Sequence, residues 1–318
     1  MPSWQARVFN FAARQTLKPL LRFTPVRTLQ GLQTRTERFE SARPLAPGTS
    51  MEPISAPGFQ GERIRLDGDS GRRVCLYFPG GGFVLRAAGL QRSFASEICR
   101  TARCEVWIMH YRLAPQTPFP GGLEDCVAAY HHLLANGHRP EDITLIGESA
   151  GGGLVLSTLL ALRDETTPMP ARAIVISPVT DFTFSGVSRQ RNARRDPILP
   201  AKRLSALAGL YSGTAVTRDR YLSPALADFD DLPPMMGIVG DTEVLLDDCL
   251  RAADQANKAG VPFHLEVWRG MAHAFPLFAF MPESRIAIQR LAAFIHDEPL
   301  APAPRMFSQR QLNWNAAA

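Results

Sequence analysis

The apolar positions of this chain change period along its length. Near the start, Trp4, Val8 and Phe11 recur at helical spacing, with Arg7 and Arg14 off that face. Leu17, Leu20 and Leu21 continue the pattern beside Lys18 and Arg22, and Pro19 is expected to kink or restart the helix. Residues 47–58, rich in Pro, Gly and Ser, read as a linker into the first strands. From Glu62 to Val179, strand-like and helix-like stretches alternate, the pattern of a doubly wound α/β sheet. Val74-Cys75-Leu76-Tyr77-Phe78 and Ile143-Thr144-Leu145-Ile146 are the strand-like runs that matter most below. Residues 181–225 break the rhythm. There Phe182, Phe184, Ile198, Leu199, Leu204, Leu207, Leu210 and Tyr211 punctuate a segment rich in Arg and Ser. The alternation then resumes with a strand over 235–239, a helix over 249–259, a strand over 263–268 and a final helix over 284–296.

Chemistry concentrates where one buried strand meets a helix. Gly147-Glu148-Ser149-Ala150-Gly151 follows the run at 143–146 and precedes the helix-forming Gly153-Leu154-Val155-Leu156. A G-x-S-x-G between strand and helix is a nucleophile elbow, whose small residues let the chain reverse so tightly that the serine projects from the turn. A serine hydroxyl needs a base to take its proton and a third group to orient that base. Of the seven histidines, His273 lies in a loop after the last strand-like stretch. His110, His131, His132, His138, His264 and His296 occupy strand, helix or surface-loop positions that suit structural roles. Asp241, Glu243 and Asp247 follow the strand at 235–239 and are candidates for the acid. Asp247 and Asp248 open the next helix, where carboxylates are favoured by the helix dipole anyway. Pro79-Gly80-Gly81-Gly82-Phe83 leaves another strand, and consecutive glycines let backbone N–H groups approach an oxyanion.

Taken together these motifs resemble the hormone-sensitive-lipase-type branch of the α/β-hydrolase esterases, over about residues 74–296. Besides the elbow and the glycine run, the resemblance is carried by Tyr111-Arg112-Leu113-Ala114-Pro115, Phe119-Pro120 with Glu124-Asp125, and Ile176-Ser177-Pro178 with Thr180-Asp181. Asp196-Pro197, Tyr221-Leu222-Ser223-Pro224 and Gly270-Met271-Ala272-His273-Ala274-Phe275 complete it. It implies an eight-stranded, mostly parallel sheet flanked by helices, with a helical cap. It also implies Ser149 as nucleophile, His273 as base, and an oxyanion hole of the Gly81, Gly82 and Ala150 N–H groups. The acid carries over to Glu243 in preference to Asp241. Two positions depart from the pattern: Pro79 stands where the family has His, and Gln116 where it has Glu.

The resulting expectation is a serine carboxylester hydrolase acting on short-to-medium acyl esters, needing no cofactor and no metal, with Phe83, Phe182, Tyr211 and Phe275 against the substrate. An amidase, an N-deacetylase or a lactone hydrolase would use the same triad, and a non-catalytic binding relative is the rival from another class. Residues 1–45 are expected to be a helical cap segment and 60–296 the catalytic domain. A second cap element lies at about 181–225, and 297–318 read as a flexible tail.

Composition narrows the partners. The 318 residues are 45% apolar and 20% charged, ordinary for a soluble globular protein. Cys75, Cys99, Cys104, Cys126 and Cys249 show no metal spacing and read as reduced core residues of a cytoplasmic protein. The net charge of +5 is concentrated at the start: residues 1–50 hold eight basic residues against Glu37 and Glu40. The remainder is nearly neutral, which argues against nucleic acid as a partner. No run of 18 apolar residues occurs. The N-terminal helix therefore has two readings: a cap folding over the site, or a basic amphipathic helix resting on an anionic membrane surface. A homodimer is left open.

Overall fold

The computed structural model describes residues 1–32, 43–56, 58–68 and 71–300. The parts of the N-terminal segment at 33–42 and of the tail at 301–318 lie outside them. The strands are β1 (Thr49–Ala56), β2 (Phe59–Leu66), β3 (Val74–Phe78), β4 (Glu105–Met109), β5 (Ile143–Glu148), β6 (Arg172–Ile176), β7 (Met235–Gly240) and β8 (Phe263–Trp268). They form one sheet in the order β1-β2-β4-β3-β5-β6-β7-β8. β1 and β2 pair antiparallel, as do β2 and β4, and every later pairing is parallel. The mostly parallel sheet matches the expectation.

The stretch read as a linker is largely strand. Among the described residues β1 is an edge strand that pairs only with β2, and Pro53 sits within it opposite Glu62. An edge tolerates proline because one side of the strand needs no donor. Proline and glycine content therefore misled the reading there.

Helices cover both faces: α4 (Ala88–Ala102), α5 (Gly121–Ala135), α6 (Ala150–Asp164), α9 (Leu246–Lys258) and α10 (Pro282–Ile295). β3, β5 and β7 are buried along their whole length, as strands sandwiched between two helical layers must be. One core cluster holds Leu76, Phe78, Leu145, Leu156 and Val175, and the other holds Cys75, Tyr77, Ile146, Ile174 and Ile238. Successive residues of each strand thus serve opposite faces, which is the period-two rule of the pleat.

Two further groups of helices lie around the C-terminal edge of the sheet. The first is α1 (Trp4–Gln15), α2 (Leu17–Phe23) and α3, helical over 26–32. The second falls in the segment that breaks the alternation: the short α7 (Ser188–Arg191) and α8 (Ala201–Ser212). They are tied together. Lys18 Nζ donates to the carbonyls of Ala193 and Asp196 at 2.8 and 2.6 Å, and an Arg203 guanidinium N–H donates to Thr24 O at 2.7 Å.

Candidate active site

β5 delivers Ser149 at its C-terminal end, and α6 begins at the next residue. Ser149 has φ 56° and ψ −120°, a conformation costly for a residue with a Cβ, on the order of 1–3 kcal/mol. The turn holds it there. The Ser149 N–H donates to Ile176 O at 2.8 Å, and its carbonyl accepts from Val179 N at 3.0 Å. A Cβ at Gly151 would overlap the Phe78 carbonyl, and one at Gly147 would overlap Gly151 itself. Both glycines are therefore required by close packing.

β7 and β8 supply the other two groups. Glu243 lies just beyond β7 and is fully buried; His273 lies in the loop after β8 and is 7% exposed. Glu243 Oε2 is 2.9 Å from His273 Nδ1. The second oxygen, Oε1, accepts from Ser177 Oγ at 2.8 Å and from Gly240 N at 2.6 Å. A carboxylate so placed can only accept, so Nδ1 carries the proton and Nε2 is the basic nitrogen. Burial disfavours the imidazolium. The hydrogen bond and charge of Glu243, with smaller contributions from Asp196 and Glu148, outweigh it and hold the His273 pKa above the ordinary histidine value.

The alternative acids are committed elsewhere. Asp241 Oδ1 accepts from Gly270 N at 2.6 Å and Oδ2 from Arg195 at 3.4 Å, fastening the exits of β7 and β8 to their surroundings. Asp247 accepts from Ser188 N at 2.7 Å, and Asp248 from the N–H groups of Thr180 and Asp181 at 2.8 and 3.1 Å. The other histidines also have separate environments: His131 pairs with Glu165, His264 with Glu266, and His296 with the Ala102 carbonyl.

The glycine run lies against the elbow. Gly80 N donates to Glu148 Oε1 at 2.6 Å, and Gly80 O accepts from Gln91 Nε2 at 3.2 Å. Gln91 Nε2 also donates to Glu148 Oε1 at 2.9 Å. Pro79 cannot donate, but its carbonyl accepts from the Tyr111 hydroxyl at 2.6 Å. The Ser149 and Gly80 N–H groups are thus engaged, and Gly81 and Gly82 share one cavity with Ser149. Glu148 is fully buried, and burial pushes its carboxyl up to about 7 despite hydrogen bonds that favour the charged form. Ser177, Gln91 and Glu148 are supporting residues that spacing did not single out. Ser177 and Glu148 each lay inside a recognised motif, whereas Gln91 carried no local signal.

Ser149, His273, Gly80, Gly81 and Gly82 line one cavity of about 250 Å³. Gln91 and Glu148 also line it, and its remaining walls are apolar, among them Leu21, Phe184, Ile198, Leu199, Leu204, Leu207 and Phe278. Of the four aromatics expected against the substrate, Phe83 lines the cavity. Tyr211 and Phe182 stand behind it: Tyr211 stacks on Phe83 with centroids 3.8 Å apart, and Phe182 packs on both at 5.7 and 5.9 Å. Phe275 turns away into the core against Trp268, at 5.1 Å. Gln116 is exposed, while Arg112 is held by Asp125 at 2.8 Å and by Glu124 at 3.1 Å. Among the described residues no cluster of three His, Cys, Asp or Glu side chains could hold a metal.

The serine at the strand-to-helix turn and the imidazole of the buried His273–Glu243 pair line one cavity on an eight-stranded, mostly parallel sheet. A family model described as alpha/beta hydrolase fold matches residues 75–277. An acetyl-hydrolase of Streptomyces hygroscopicus is 39% identical over 224 residues, covering 70% of this chain and 75% of that protein. The carboxylesterase/phospholipase LipF of Mycobacterium tuberculosis is 31% identical over 309 residues, 93% of this chain and 82% of its own. Among solved structures, an esterase from the bacterial hormone-sensitive lipase family superposes with a TM-score of 0.85 at 36% identity. It covers 94% of this chain and 99% of that one. The chain belongs to the alpha/beta hydrolase fold family, in its hormone-sensitive-lipase-type esterase branch.

Proposed function

We propose that the chain is a serine carboxylester hydrolase for short-to-medium acyl esters, working through Ser149, His273 and Glu243. The observation that carries this reading is the buried 2.9 Å Glu243–His273 contact facing the same cavity as a serine held in a strained elbow. His273 Nε2 takes the hydroxyl proton as Ser149 Oγ bonds to the ester carbonyl carbon. The carbonyl oxygen becomes an oxyanion, met by the N–H groups of Gly81, Gly82 and Ala150. Collapse breaks the bond to the alcohol, which leaves with the proton from His273. Water then repeats the sequence on the acyl-enzyme and releases the acid. Glu243 keeps the imidazole in the productive tautomer and stabilises its charged form.

The acyl preference is argued from the cavity. At about 250 Å³ with mostly apolar walls it suits a short alkyl chain, whereas drug-sized ligands occupy roughly 300–1,000 Å³. The relative named acetyl-hydrolase supports the short-chain end of that range. The test is hydrolysis of p-nitrophenyl acetate, butyrate, octanoate and palmitate by the wild type, Ser149→Ala and His273→Ala. Turnover highest for the short and middle chains and lost in both variants is expected. Turnover that survives Ser149→Ala, or is highest for palmitate, would overturn the reading.

A further inference from the structure

The apolar stripe of α1 faces outward. Trp4, Val8 and Phe11 are 64%, 58% and 66% exposed, although their spacing is that of a core-facing helix side. The packed side of α1 is a different one. Ala6 and Ala13 are buried, Phe9 lies 4.4 Å from Phe278, and Asn10 Nδ2 donates to Gly270 O at 2.8 Å. Ser3 caps the helix on Ala6 N and anchors it to Glu283, its N–H at 2.7 Å and its hydroxyl at 2.8 Å. The helix is thus clamped through Phe9 and small and polar residues, while Trp4, Val8 and Phe11 are presented to solvent.

Single exposed apolar side chains are normal on any protein. Here they extend beyond one helix. In α2, Leu20 and Phe23 are 45% and 73% exposed, and Phe280, whose ring meets Phe9 at 5.7 Å, is 53% exposed. Charge identifies what would cover this face. Residues 1–32 contain Arg7, Arg14, Lys18, Arg22 and Arg27 and no Asp or Glu. Arg7, Arg22 and Arg27 are exposed, and the Arg22 guanidinium lies 5.1 Å from the centre of the exposed Phe23 ring. Bulky aromatic and aliphatic side chains bordered by cations, on helices that carry no carboxylate, match the boundary of an anionic bilayer: acyl chains below and phosphate above. A second copy of the same face would instead oppose cations to cations.

We propose that the outward face of α1 and α2 docks on anionic lipid surfaces, with Trp4, Val8 and Phe11 entering the acyl boundary and Arg7 and Arg22 meeting headgroup phosphates. The docking is independent of the catalytic reading, because none of these side chains lines the cavity. Among the described residues no helix is long and apolar enough to cross a membrane, so the contact is peripheral.

The test is co-sedimentation of the full chain with vesicles of equal phosphatidylglycerol and phosphatidylcholine, and with pure phosphatidylcholine. It is run on wild type, on the triple variant Trp4→Ser, Val8→Ser, Phe11→Ser, and on Arg7→Glu with Arg22→Glu. Wild type is expected to bind the anionic vesicles and to be released by salt, with each variant weakened at least about tenfold. Sedimentation of each variant at the wild-type value, with wild-type turnover of p-nitrophenyl butyrate, controls for folding. Equal binding to both vesicle types, unchanged binding in the variants, or no lipid binding would overturn the proposal. So would a wild-type dimer that the triple variant dissociates without any change in lipid binding. Vesicle binding measured on Ser149→Ala keeps this outcome separate from that of the esterase test.

Discussion

Glu243 reaches His273 across two different strand ends, its Oε2 2.9 Å from Nδ1, with its other oxygen held by Ser177 Oγ and Gly240 N. A glutamate side chain is longer than an aspartate's by one CH2. The loop accommodates it by fixing the carboxylate at both oxygens, so the longer stem costs no orientation. The contact is fully buried on the carboxylate side, which strengthens it and makes its loss expensive.

Glu243→Gln keeps the shape and removes the charge. The amide can present its NH2 to Nδ1, which then favours the tautomer with the proton on Nε2, the wrong nitrogen for a base. A fall in kcat of about 10²–10⁴-fold is expected, with KM little changed, measured on p-nitrophenyl butyrate. Asp241→Asn, by contrast, is expected to stay within about tenfold of wild type, because Asp241 serves the Gly270 N–H. The reverse order of severity would move the acid to Asp241.

The acid limb of kcat/KM follows from His273. The base form is the active one, and its pKa is raised above the ordinary value near 6.5. Activity therefore falls as pH drops through a midpoint above 6.5. In Glu243→Gln the residual activity should show a midpoint shifted downward, since the stabilising charge is gone while burial remains. A pH–rate profile over pH 5 to 9 reads both; an unchanged midpoint in the variant would contradict the coupling.

Glu148 gives a stability prediction with a definite sign. Its folded pKa, about 7, lies above its ordinary value of 4.5. Below 4.5 both folded and unfolded states hold the proton, and the contribution of the neutral group is fully present. As pH rises from 4.5 through 7 the unfolded state ionises first, and that contribution drains away. Glu148→Gln cannot ionise and still offers an oxygen to Gly80 N. Its Tm relative to wild type should therefore improve by several degrees between pH 5 and pH 8. Calorimetry at the two pH values checks this, and a difference independent of pH would contradict it.

Two glycines separate structure-bearing positions from permissive ones. Gly209 lies inside α8 with nothing within 4 Å of where a Cβ would stand. Gly209→Ala is expected to stabilise by about 0.5–1 kcal/mol through helix propensity. Gly151→Ala would drive its methyl into the Phe78 carbonyl and should abolish activity or folding. Urea denaturation with activity assays distinguishes the two outcomes.

Much of the site was legible because it is local. The elbow and the glycine run are contiguous motifs, each fixed by close backbone approach, and His273 follows directly from the strand that delivers it. Spacing alone left Glu243 as one of several acids, and only the resemblance favoured it; the hydrogen bonds that occupy Asp241, Asp247 and Asp248 support that choice. Of the pocket aromatics only Phe83, next to the glycine run, was legible. Periodicity does not say whether Tyr211 or Phe275 reaches the cavity or stands in the layer behind it, which depends on packing between distant segments. The same limit applies to α1. The spacing of Trp4, Val8 and Phe11 identifies a face, but the small residues Ala6 and Ala13 decide which face can approach the body of the protein closely.

The most direct test of the central claim is to follow p-nitrophenol release from p-nitrophenyl butyrate in the first milliseconds and map any acyl group by mass spectrometry of the quenched enzyme. The account predicts an acyl-enzyme on the peptide containing Ser149, absent from Ser149→Ala, with both its formation and its hydrolysis slowed in His273→Ala. A butyryl group on any other residue, or steady turnover by Ser149→Ala, would contradict it.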